Sequence, residues 1–357
     1  MNKRYQFLIV VLLLHLPLYA YPILRLCYWL NLNSWLTAAI FLPLFFSQIL
    51  VRIYLRHANS GLVFWLRRVA DLWLGISPLL LAMLLVAELP VALGWLAAPT
   101  AAYGLIALTG ALTVFSVINA YSPSVVKVQL SSHKLTAPVR FVQITDVHIG
   151  SRSSAFLDRV IEQVNSVDAE FLCITGDFID AAGIDEQQLS ALGECRMPVY
   201  MSIGNHERYE DLDDIVQRLE RLGVVLLRTQ TDTQGQVQLI GIDDSDRRSQ
   251  VRRELAKLNV DQSKFALLLY HRPHGLADAA AAGIDLMISG HTHNGQIVPF
   301  NLVVGRVFEK TVGLFSEGLT QLYVSPGTGT WGPVMRLGSR GEVTLFEIQP
   351  ANSRPAS

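Results

Sequence analysis

The chain has 357 residues, of which 51% are hydrophobic and 17% are charged, with a formal net charge of −1. Soluble proteins usually contain about 25% charged residues, so this composition excludes a disordered chain and argues against an ordinary soluble protein. Residues 1–121 carry seven Lys/Arg and two acids, whereas residues 122–357 carry 22 Lys/Arg and 28 acids, which excludes a basic nucleic-acid-binding module there. The three cysteines form no CxxC pair, which excludes a disulfide scaffold.

The first third of the chain contains long stretches without a charged residue. Tyr5–Leu24 has 20 such residues, Leu26–Val51 has 26 and Leu89–Tyr121 has 33. About 20 apolar residues suffice for a helix to cross the hydrocarbon core of a bilayer. With a break between Gly94 and Pro99, residues 1–121 are predicted to form four transmembrane helices, at about 5–25, 32–52, 71–92 and 99–121.

Positive charges predict the orientation of these helices, because short cytoplasmic loops are enriched in Lys and Arg. With four crossings, nine of the ten Lys/Arg near the helices share one side with the C-terminal part, and only Arg25 lies on the other. We therefore expect an integral, multi-pass membrane protein, in the plasma or inner membrane if it is bacterial, with its catalytic domain in the cytoplasm. Three or five crossings would reverse this orientation. Asp71 and Glu88 are interpreted as interfacial residues at helix ends rather than as an ion pathway.

Residues 122–349 have the pattern of an α/β domain. Val126, Val128 and Leu130 alternate with polar residues, as in a half-buried strand. Eight short apolar runs follow, and helical patterns separate several of them, such as the apolar positions from Phe156 to Val164. Strands that alternate with helices predict an α/β sheet with short connections. Residues 350–357 are predicted to be a disordered tail.

Polar side chains follow five of the apolar runs at the point where each predicted strand ends. The residues are Asp146-Val-His148, Gly176-Asp177-Phe-Ile-Asp180, Gly204-Asn205-His206-Glu207, His271-Arg272 and Gly290-His291-Thr-His293. Ligand sites of open α/β sheets form at the carboxyl ends of strands. Together these side chains can supply about eight oxygen and nitrogen ligands. The sequence therefore predicts a site for two divalent metal ions, and the absence of thiolates favours Mn, Fe or Zn.

The spacing of these residues suggests how they converge. Alternate side chains of a strand point to the same face, so we expect Asp146 and His148 to face one point, and His291 and His293 to do likewise. Two ions about 3.5–4 Å apart stabilise both the attacking and the leaving oxygen of a phosphoryl displacement. The pattern therefore favours phosphoryl chemistry.

The series DVH, GDFID, GNHE, YH and GHTH, in this order, resembles the calcineurin-like metallophosphoesterase family over residues 138–348. The longer motif GHTHNGQ behind a multi-helix N-terminus is similar to a membrane-bound branch of that family, which includes bacterial phosphodiesterases and an animal transmembrane protein with a metallophosphoesterase domain. In this motif Asn294 stands where that branch usually has Gly. The resemblance implies a two-sheet β-sandwich flanked by helices.

The resemblance also implies a role for each motif residue. Asp146, His148 and His293 would hold one metal; Asn205, His271 and His291 would hold the second; and Asp177 would bridge both together with a hydroxide. His206 would be the catalytic residue that stabilises the transition state or protonates the leaving oxygen. Glu207 and Asp180 would orient histidines.

The sequence thus predicts a membrane-anchored, two-metal phosphoric ester hydrolase that cleaves a phosphodiester or pyrophosphate by attack of a metal-bound hydroxide. Its partners would be a phosphoester substrate and the lipid bilayer. A narrower alternative is a lipid-linked nucleotide pyrophosphatase of the UDP-diacylglucosamine type. Two others are a transporter or scaffold whose phosphoesterase domain is regulatory, and a metal-dependent binding module without catalysis. The sequence leaves the native substrate, the metal identity, mono- or diesterase activity and the oligomeric state open.

Some further residues are candidates for substrate contact. Four arginines can act as phosphate clamps or can simply be solvated, namely Arg152, Arg247, Arg248 and Arg272. The segment Gly327–Gly332 matches G-x-G-x-x-G, but Pro333 and Gly338 exclude a following helix, so it is interpreted as a turn and not as a dinucleotide loop.

Overall fold

A computed structural model describes residues 14–55, 60–181 and 183–351. The chain divides into two compact units. The first contains residues up to Ile118, together with Ile297–Phe300 and Gly332–Leu337, and is called the helical unit here. The second contains Asn119–Gln296, Asn301–Trp331 and the residues from Gly338 onwards, and is called the sandwich unit.

The helical unit consists of long apolar helices. Its described elements are α1 (Tyr21–Trp29, after a π-helical turn Leu16–Ala20), α2 (Ser34–Ile49, which continues into a π-helical turn Leu50–Tyr54), α3 (Gly61–Ala92) and α4 (Ala98–Tyr121). Asn33 and Ser60 cap the N-termini of α2 and α3 through their side-chain oxygens. The predicted break before Pro99 is confirmed, because α3 ends at Ala92 and α4 begins at Ala98.

The prediction of four transmembrane helices is confirmed only in part. Among the described residues, three helices are long and apolar enough to cross a membrane, at Ser34–Tyr54, Gly61–Ala92 and Ala98–Tyr121. The predicted first helix, 5–25, falls partly on residues 1–13, which lie outside the described residues. The helix predicted at 71–92 begins at Gly61 in the structure, ten residues earlier. Ser60 caps its N-terminus, and the helix includes the charged residues Arg67, Arg68 and Asp71.

The acids of the helical unit pair with arginines. Glu88 on α3 accepts two hydrogen bonds of 2.6 Å from Arg25 on α1, and Asp71 accepts one of 2.7 Å from Arg52. Contrary to the expectation of acids at helix ends, Asp71 lies in the interior of α3, whereas Glu88 lies four residues before the end of α3. An acid that is brought between apolar helices lowers its desolvation cost by pairing with a base.

In the described part of the sandwich unit, twelve strands form two six-stranded sheets. The first sheet has the order β1 (Ser124–Ser132), β12 (Glu342–Pro350), β2 (Val139–Ile144), β3 (Phe171–Thr175), β4 (Val199–Ser202) and β5 (Val224–Leu226). The second has the order β10 (Gly313–Glu317), β11 (Thr320–Val324), β9 (Leu286–Ser289), β8 (Phe265–Tyr270), β7 (Val237–Ile242) and β6 (Gln230–Gln234). β2, β3 and β4 run parallel in the first sheet, and β8 and β9 in the second.

The helices of this unit lie between the strands in sequence. They are α5 (Ser154–Asn165), a 3₁₀ helix (Gln187–Glu194), α6 (Asn205–Tyr209), α7 (Leu212–Arg221), α8 (Gln250–Leu255), α9 (Leu276–Ala281), a 3₁₀ turn (His293–Gly295) and α10 (Phe300–Val307). Ser153 is the N-cap of α5. Gly223 follows α7 in the left-handed conformation, with a φ of 84°, and so ends that helix.

The core has three layers that follow from the side-chain alternation of the strands. Val142 and Ile144 of β2 pack toward α5 and α7, whereas Phe141 of the same strand packs toward the second sheet. There Phe141 stacks between Phe171 and Phe346, at ring-centroid distances of 5.1 and 4.7 Å. A third cluster fills the space between the second sheet and α8 and α9. The expected two-sheet sandwich with flanking helices is confirmed.

Three strands were not predicted. β6 has the sequence QTDTQ, which contains no apolar residue, and β5 has only three residues. β10 is half-exposed and lies at the edge of the second sheet. A strand without a buried face leaves no apolar alternation in the sequence, so only its pairing with a neighbour reveals it. β12 extends to Pro350, and residues 352–357 of the predicted tail lie outside the described residues.

Candidate metal centre

The five polar motifs follow the carboxyl ends of β2, β3, β4, β8 and β9. β2, β3 and β4 are neighbouring parallel strands, and so are β8 and β9, so within each sheet these ends lie along one edge. The structure brings Asp146, His148, Asp177, His206, His271, His291 and His293 into three overlapping clusters, in each of which the potential ligand atoms lie within 4.8 Å of one another.

The first cluster contains Asp146, His148 and His293. The Nε2 atom of His293 lies 3.3 Å from Oδ1 of Asp146, and the Nε2 atom of His148 lies 3.9 Å from the same oxygen. The two Nε2 atoms are 3.1 Å apart. All three side chains therefore aim their ligand atoms at one small volume.

The second cluster contains Asp177, His271 and His291. The Nε2 atom of His271 lies 3.0 Å from Oδ2 of Asp177 and 3.0 Å from Nδ1 of His291. His271 and Asp177 are almost completely buried. This cluster has the same composition as the first, one carboxylate and two imidazoles.

The third cluster, His148, Asp177 and His206, shares a residue with each of the other two. The Nε2 atom of His206 lies 3.9 Å from Oδ2 of Asp177, and the backbone N–H of His206 donates to Oδ1 of Asp177 at 2.9 Å. Asn205, the residue before it, is buried, and its Oδ1 atom has no hydrogen-bond partner among the residues that the structure describes. A buried amide oxygen without a partner is costly unless something binds it.

The backbone that carries these side chains is not that of a strand. Five of the residues adopt left-handed φ angles, namely Asp146 (54°), His148 (57°), Asp177 (51°), His291 (72°) and His293 (49°). The expectation that strand alternation aims Asp146 and His148 is therefore wrong, since β2 ends at Ile144. Left-handed non-glycine residues cost about 1–3 kcal/mol each, and such strain accumulates where a site requires it. Asn294 is also left-handed, with a φ of 48°, a conformation that Asn tolerates better than most residues.

Hydrogen bonds orient two of the histidines. The Nδ1 atom of His271 lies 2.7 Å from the carbonyl oxygen of Thr175. A carbonyl only accepts, so Nδ1 donates, and this hydrogen bond directs Nε2 at the centre of the cluster. The Nδ1 atom of His148 lies 3.3 Å from Oδ2 of Asp180, as expected for a carboxylate that orients a histidine.

Glu207 has a different task from the one predicted. Its carboxylate accepts the backbone N–H groups of Asp177 (3.0 Å), Phe178 (2.6 Å), Ile179 (2.9 Å) and Gly204 (2.9 Å). Glu207 therefore fixes the loop that presents Asp177 rather than a histidine ring. The sequence gives no sign of this, because the four donors come from two separate loops.

Two glycines permit the close approach of the loops. A Cβ atom at Gly290 would lie 2.1 Å from Oδ2 of Asp146, and one at Gly204 would lie 2.3 Å from the backbone nitrogen of Asp177. Both distances are shorter than any real contact, so only glycine fits at these positions.

The electrostatics favour a bound cation. Burial favours the neutral form of Asp146, but the imidazoles of His293, His271 and His148 outweigh it and hold its pKa well below the usual value. Burial opposes protonation of His271, yet Asp177 raises the pKa of His271 to about 10. Burial and the charge of His271 lower the pKa of His291 to about 3. Two buried carboxylates that stay ionised thus attract positive charge to this edge.

Two of the four candidate arginines, Arg272 and Arg152, contact other residues of the fold. Arg272 pairs with Asp244 at 2.6 Å and with Asp246 at 2.8 Å. Arg152 is buried, its guanidinium lies 4.3 Å and 3.8 Å from the ring centroids of Tyr121 and Phe156, and it donates to the carbonyl of Ala120. Their charges are therefore used within the fold.

Two exposed aromatic residues flank His206. The ring of Tyr209 lies 5.7 Å from the imidazole of His206, and that of Trp331 lies 6.3 Å from it, by centroid distances. Sequence analysis missed both. Tyr209 follows His206 by three residues, which places it within the same short helix and was a usable signal, whereas Trp331 comes from a distant loop.

The donor set fits divalent metal ions. It offers carboxylate oxygens, imidazole nitrogens and the unpartnered amide oxygen of Asn205, which is the ligand chemistry of borderline and hard divalent ions. The Nε2 atoms of His148 and His271 point into the clusters. The residues present therefore fit a metal centre, and neither the number nor the identity of the ions follows from them.

A comparison with protein-family models matches residues 139–295 to the calcineurin-like phosphoesterase family. An uncharacterized metallophosphoesterase of Campylobacter jejuni is 31% identical over 256 residues, which cover 69% of this chain and 68% of that protein. A transmembrane protein with metallophosphoesterase domain of Danio rerio is 30% identical over 272 residues, which cover 68% of this chain and 62% of that protein. An uncharacterized metallophosphoesterase of Helicobacter pylori is 30% identical, with 65% of that protein covered.

The matched region thus spans about two thirds of these relatives, and less than two thirds of the Danio rerio and Helicobacter pylori proteins. The transmembrane relatives and the three apolar helices together indicate that this chain associates with a membrane. The comparisons cover the metal cluster, since residues 139–295 contain each of its seven members.

Proposed function

The chain belongs to the calcineurin-like metallophosphoesterase family, and from this premise we propose that it is a membrane-anchored phosphoric ester hydrolase with two divalent metal ions. The observation that carries the proposal is the pair of clusters with one carboxylate and two imidazoles each, joined through His148, Asp177 and His206. Two linked clusters of equal composition are what two ions need, whereas a single ion would leave one set of buried donors without a partner.

In the proposed arrangement Asp146, His148 and His293 hold one ion, and Asn205, His271 and His291 hold the other. Asp177 bridges the two, which is supported by its place in two clusters. Divalent ions bound there would offset the negative charge of the phosphoryl group and lower the pKa of a water molecule. The ions are Mn, Fe or Zn, as the mixed oxygen and nitrogen ligands favour.

His206 is proposed as the catalytic residue that contacts the reacting phosphoryl group. Its side chain is one-fifth exposed, and its backbone N–H is fixed on Asp177. Burial lowers the pKa of His206, so its ring is neutral at pH 7 and has one N–H to donate. It can therefore donate a hydrogen bond to a phosphoryl oxygen or to the leaving oxygen.

The substrate is proposed to be a phosphodiester or pyrophosphate. The narrower proposal is a lipid-linked substrate, such as a lipid-linked nucleotide pyrophosphate, which the membrane helices would bring close to the site. In this proposal residues 1–121 anchor the protein, residues 122–349 hydrolyse the substrate, and the hydrolytic part faces the cytoplasm. Residues 122–357 carry 22 Lys/Arg and 28 acids, a balance that does not favour a nucleic acid as substrate.

A transporter or scaffold with a regulatory phosphoesterase domain is the second candidate. The paired charges Arg25 with Glu88 and Arg52 with Asp71 favour it, since ionisable pairs between membrane helices can mark a transport pathway. Asp71 and Glu88 lie 17 residues apart on α3, so about 25 Å of helix separates the two pairs, which is too far for one relay. The hydrolase therefore remains the main proposal.

The test uses the purified full chain in detergent, freed of metal by chelation and reloaded with Mn. Hydrolysis of a chromogenic phosphodiester and of the matching monoester is followed for the wild type, Asp177→Ala and Asn205→Ala. We expect Mn-dependent turnover that each substitution lowers by more than about 100-fold, since each removes a proposed ligand. Full activity of Asp177→Ala would overturn the two-metal proposal, and the ratio of diester to monoester turnover would direct the search for the substrate.

A further inference from the structure

The helix α10, Phe300–Val307, exposes most of its apolar side chains. Phe300 is 54% exposed, Leu302 63%, Val303 51% and Val307 65%, whereas Val304 alone among its apolar side chains is buried. The helix carries no acidic residue. A short helix that exposes so many of its apolar side chains marks a contact with a membrane or with another protein.

This helix lies beside the metal centre. It begins seven residues after His293, and Phe308 immediately follows its last residue. The backbone N–H of Phe308 donates to the carbonyl of Val304 at 2.9 Å, and its ring lies 5.4 Å from the ring of His291 by centroid distance. Both ends of α10 are therefore tied to residues of the centre, one through the chain and the other through an aromatic contact.

The chain enters this helix from the helical unit. The segment Ile297–Phe300 belongs to that unit, where the N–H of Val298 donates to the carbonyl of Leu337 at 2.9 Å. A Cβ atom at Gly75 of α3 would lie 3.0 Å from Cδ1 of Ile297, so Ile297 packs directly on a candidate membrane-spanning helix. Ile297, three residues before the first residue of α10, thus packs within the helical unit.

The charges next to the exposed face favour a lipid surface over a protein partner. Arg306 lies in the last turn of α10 and Lys310 follows three residues after its end. Lys310 pairs with the exposed Glu309 at 3.4 Å, so Arg306 supplies the net positive charge beside the helix. An apolar helix with a basic residue in its last turn is typical of a helix that lies in the membrane interface, because a long basic side chain reaches lipid phosphates.

We propose that α10 lies in the interface of the lipid bilayer, with Phe300, Leu302, Val303 and Val307 in contact with the acyl chains. The helix then holds the metal centre at the level of the lipid phosphates. If α10 contacts the membrane, the scissile phosphate belongs to a lipid or to a lipid-linked molecule. This statement about the substrate rests on the proposed function. The membrane contact itself does not depend on any activity.

The test places a fluorescent probe on the helix of the full chain in vesicles of phosphatidylcholine and phosphatidylglycerol. Val303→Cys is labelled with bimane, and quenching by phospholipids with a doxyl group high on the acyl chain is measured. Val225→Cys is the matched control, since Val225 is also an exposed valine but lies on the edge strand β5. Labelled wild type supplies the background of the native cysteines, of which Cys27 and Cys173 are buried.

We expect the probe at 303 to lose about half of its emission or more, and the probe at 225 to lose none. Leu302→Cys should behave like Val303→Cys, whereas a label at the buried Val304 should not reach the lipid. Equal emission at 303 and 225 would overturn the proposal. An emission at 303 that shifts to the blue with protein concentration, without lipid quenching, would assign the face to a second copy of this chain and would also overturn it.

The readout contains no enzymatic step, so failure of the hydrolase proposal would leave this result intact. Conversely, an unquenched probe on an active enzyme would reject the membrane contact and keep the hydrolase. If Val303→Cys did not fold, the label at Leu302 would still decide the question, because it tests the same face from another turn position.

Discussion

The acidic side chains of the helical unit and those of the metal centre contact different partners. In the helical unit each acid contacts an arginine, as in Glu88 with Arg25 and Asp71 with Arg52. In the sandwich unit Asp146 and Asp177 contact imidazoles and backbone N–H groups instead. An arginine partner neutralises an acid permanently, whereas imidazoles leave ligand atoms for a cation. The kind of partner therefore separates acids that stabilise the fold from acids that can bind metal.

The largest difference between the units should be in the cost of removing an apolar side chain. Phe141 is completely buried between Phe171 and Phe346. Phe141→Ala should therefore lower the free energy of unfolding by about 3–5 kcal/mol. For a domain of this size that lowers the Tm by roughly 6–20 °C. Leu85→Ala is the control in the helical unit, where the side chain is 59% exposed to its surroundings. Thermal unfolding of the full chain in detergent measures the Tm of both variants. An equal fall in Tm for Phe141→Ala and Leu85→Ala would refute the expected difference between the two units.

Removing one imidazole of the centre should lower activity by more than about 100-fold. This corresponds to a rise of about 2.7 kcal/mol in the activation free energy. His291→Ala takes a donor from the second cluster. His274→Ala is the matched control, because its ring also stacks near Phe308, at 5.6 Å, but belongs to none of the clusters. Mn titration and turnover of the chromogenic diester report the two variants. A loss of metal affinity in His274→Ala as large as in His291→Ala would mean that packing, and not ligation, matters at this position.

Weakening the loop that presents Asp177 should have a smaller effect, about 10- to 100-fold on activity. Glu207→Gln keeps the shape of the side chain but replaces one carboxylate oxygen by a donor, so some of its four backbone N–H contacts are lost. The exposed Glu220→Gln on α7 serves as the control. The Mn affinity of the purified full chain should fall together with the turnover. Unchanged kinetics would show that Asp177 is held by other contacts.

The smallest effect is expected from the ion pairs of the helical unit. Glu88→Gln removes the charge partner of Arg25 but keeps a hydrogen-bond acceptor, and both side chains are partly exposed. We expect turnover of the soluble ester to change by no more than about twofold, in line with the small worth of exposed ion pairs. A growth or transport phenotype of Glu88→Gln with normal turnover would instead support the transporter hypothesis.

Much of the sandwich unit was predictable because its strands have buried faces. The apolar runs at 139–145, Phe171–Thr175 and Phe265–Tyr270 contain the strands β2, β3 and β8. The helical unit was less predictable. Apolar length alone indicates a span but does not fix where a helix begins, and so α3 starts ten residues before the predicted position. The polar strand β6 left no signal at all.

The sequence by itself determined the family, the α/β class and the residues that gather at one edge of the sheets, because each motif follows a strand directly. Only the tertiary structure decided how they are aimed. Left-handed backbone at Asp146 and His293, the four N–H groups on Glu207 and the burial of Arg152 all depend on contacts between residues far apart in the chain. Such contacts have no periodicity in the sequence, since their energy comes from the packing of loops that only the folded sheets bring together.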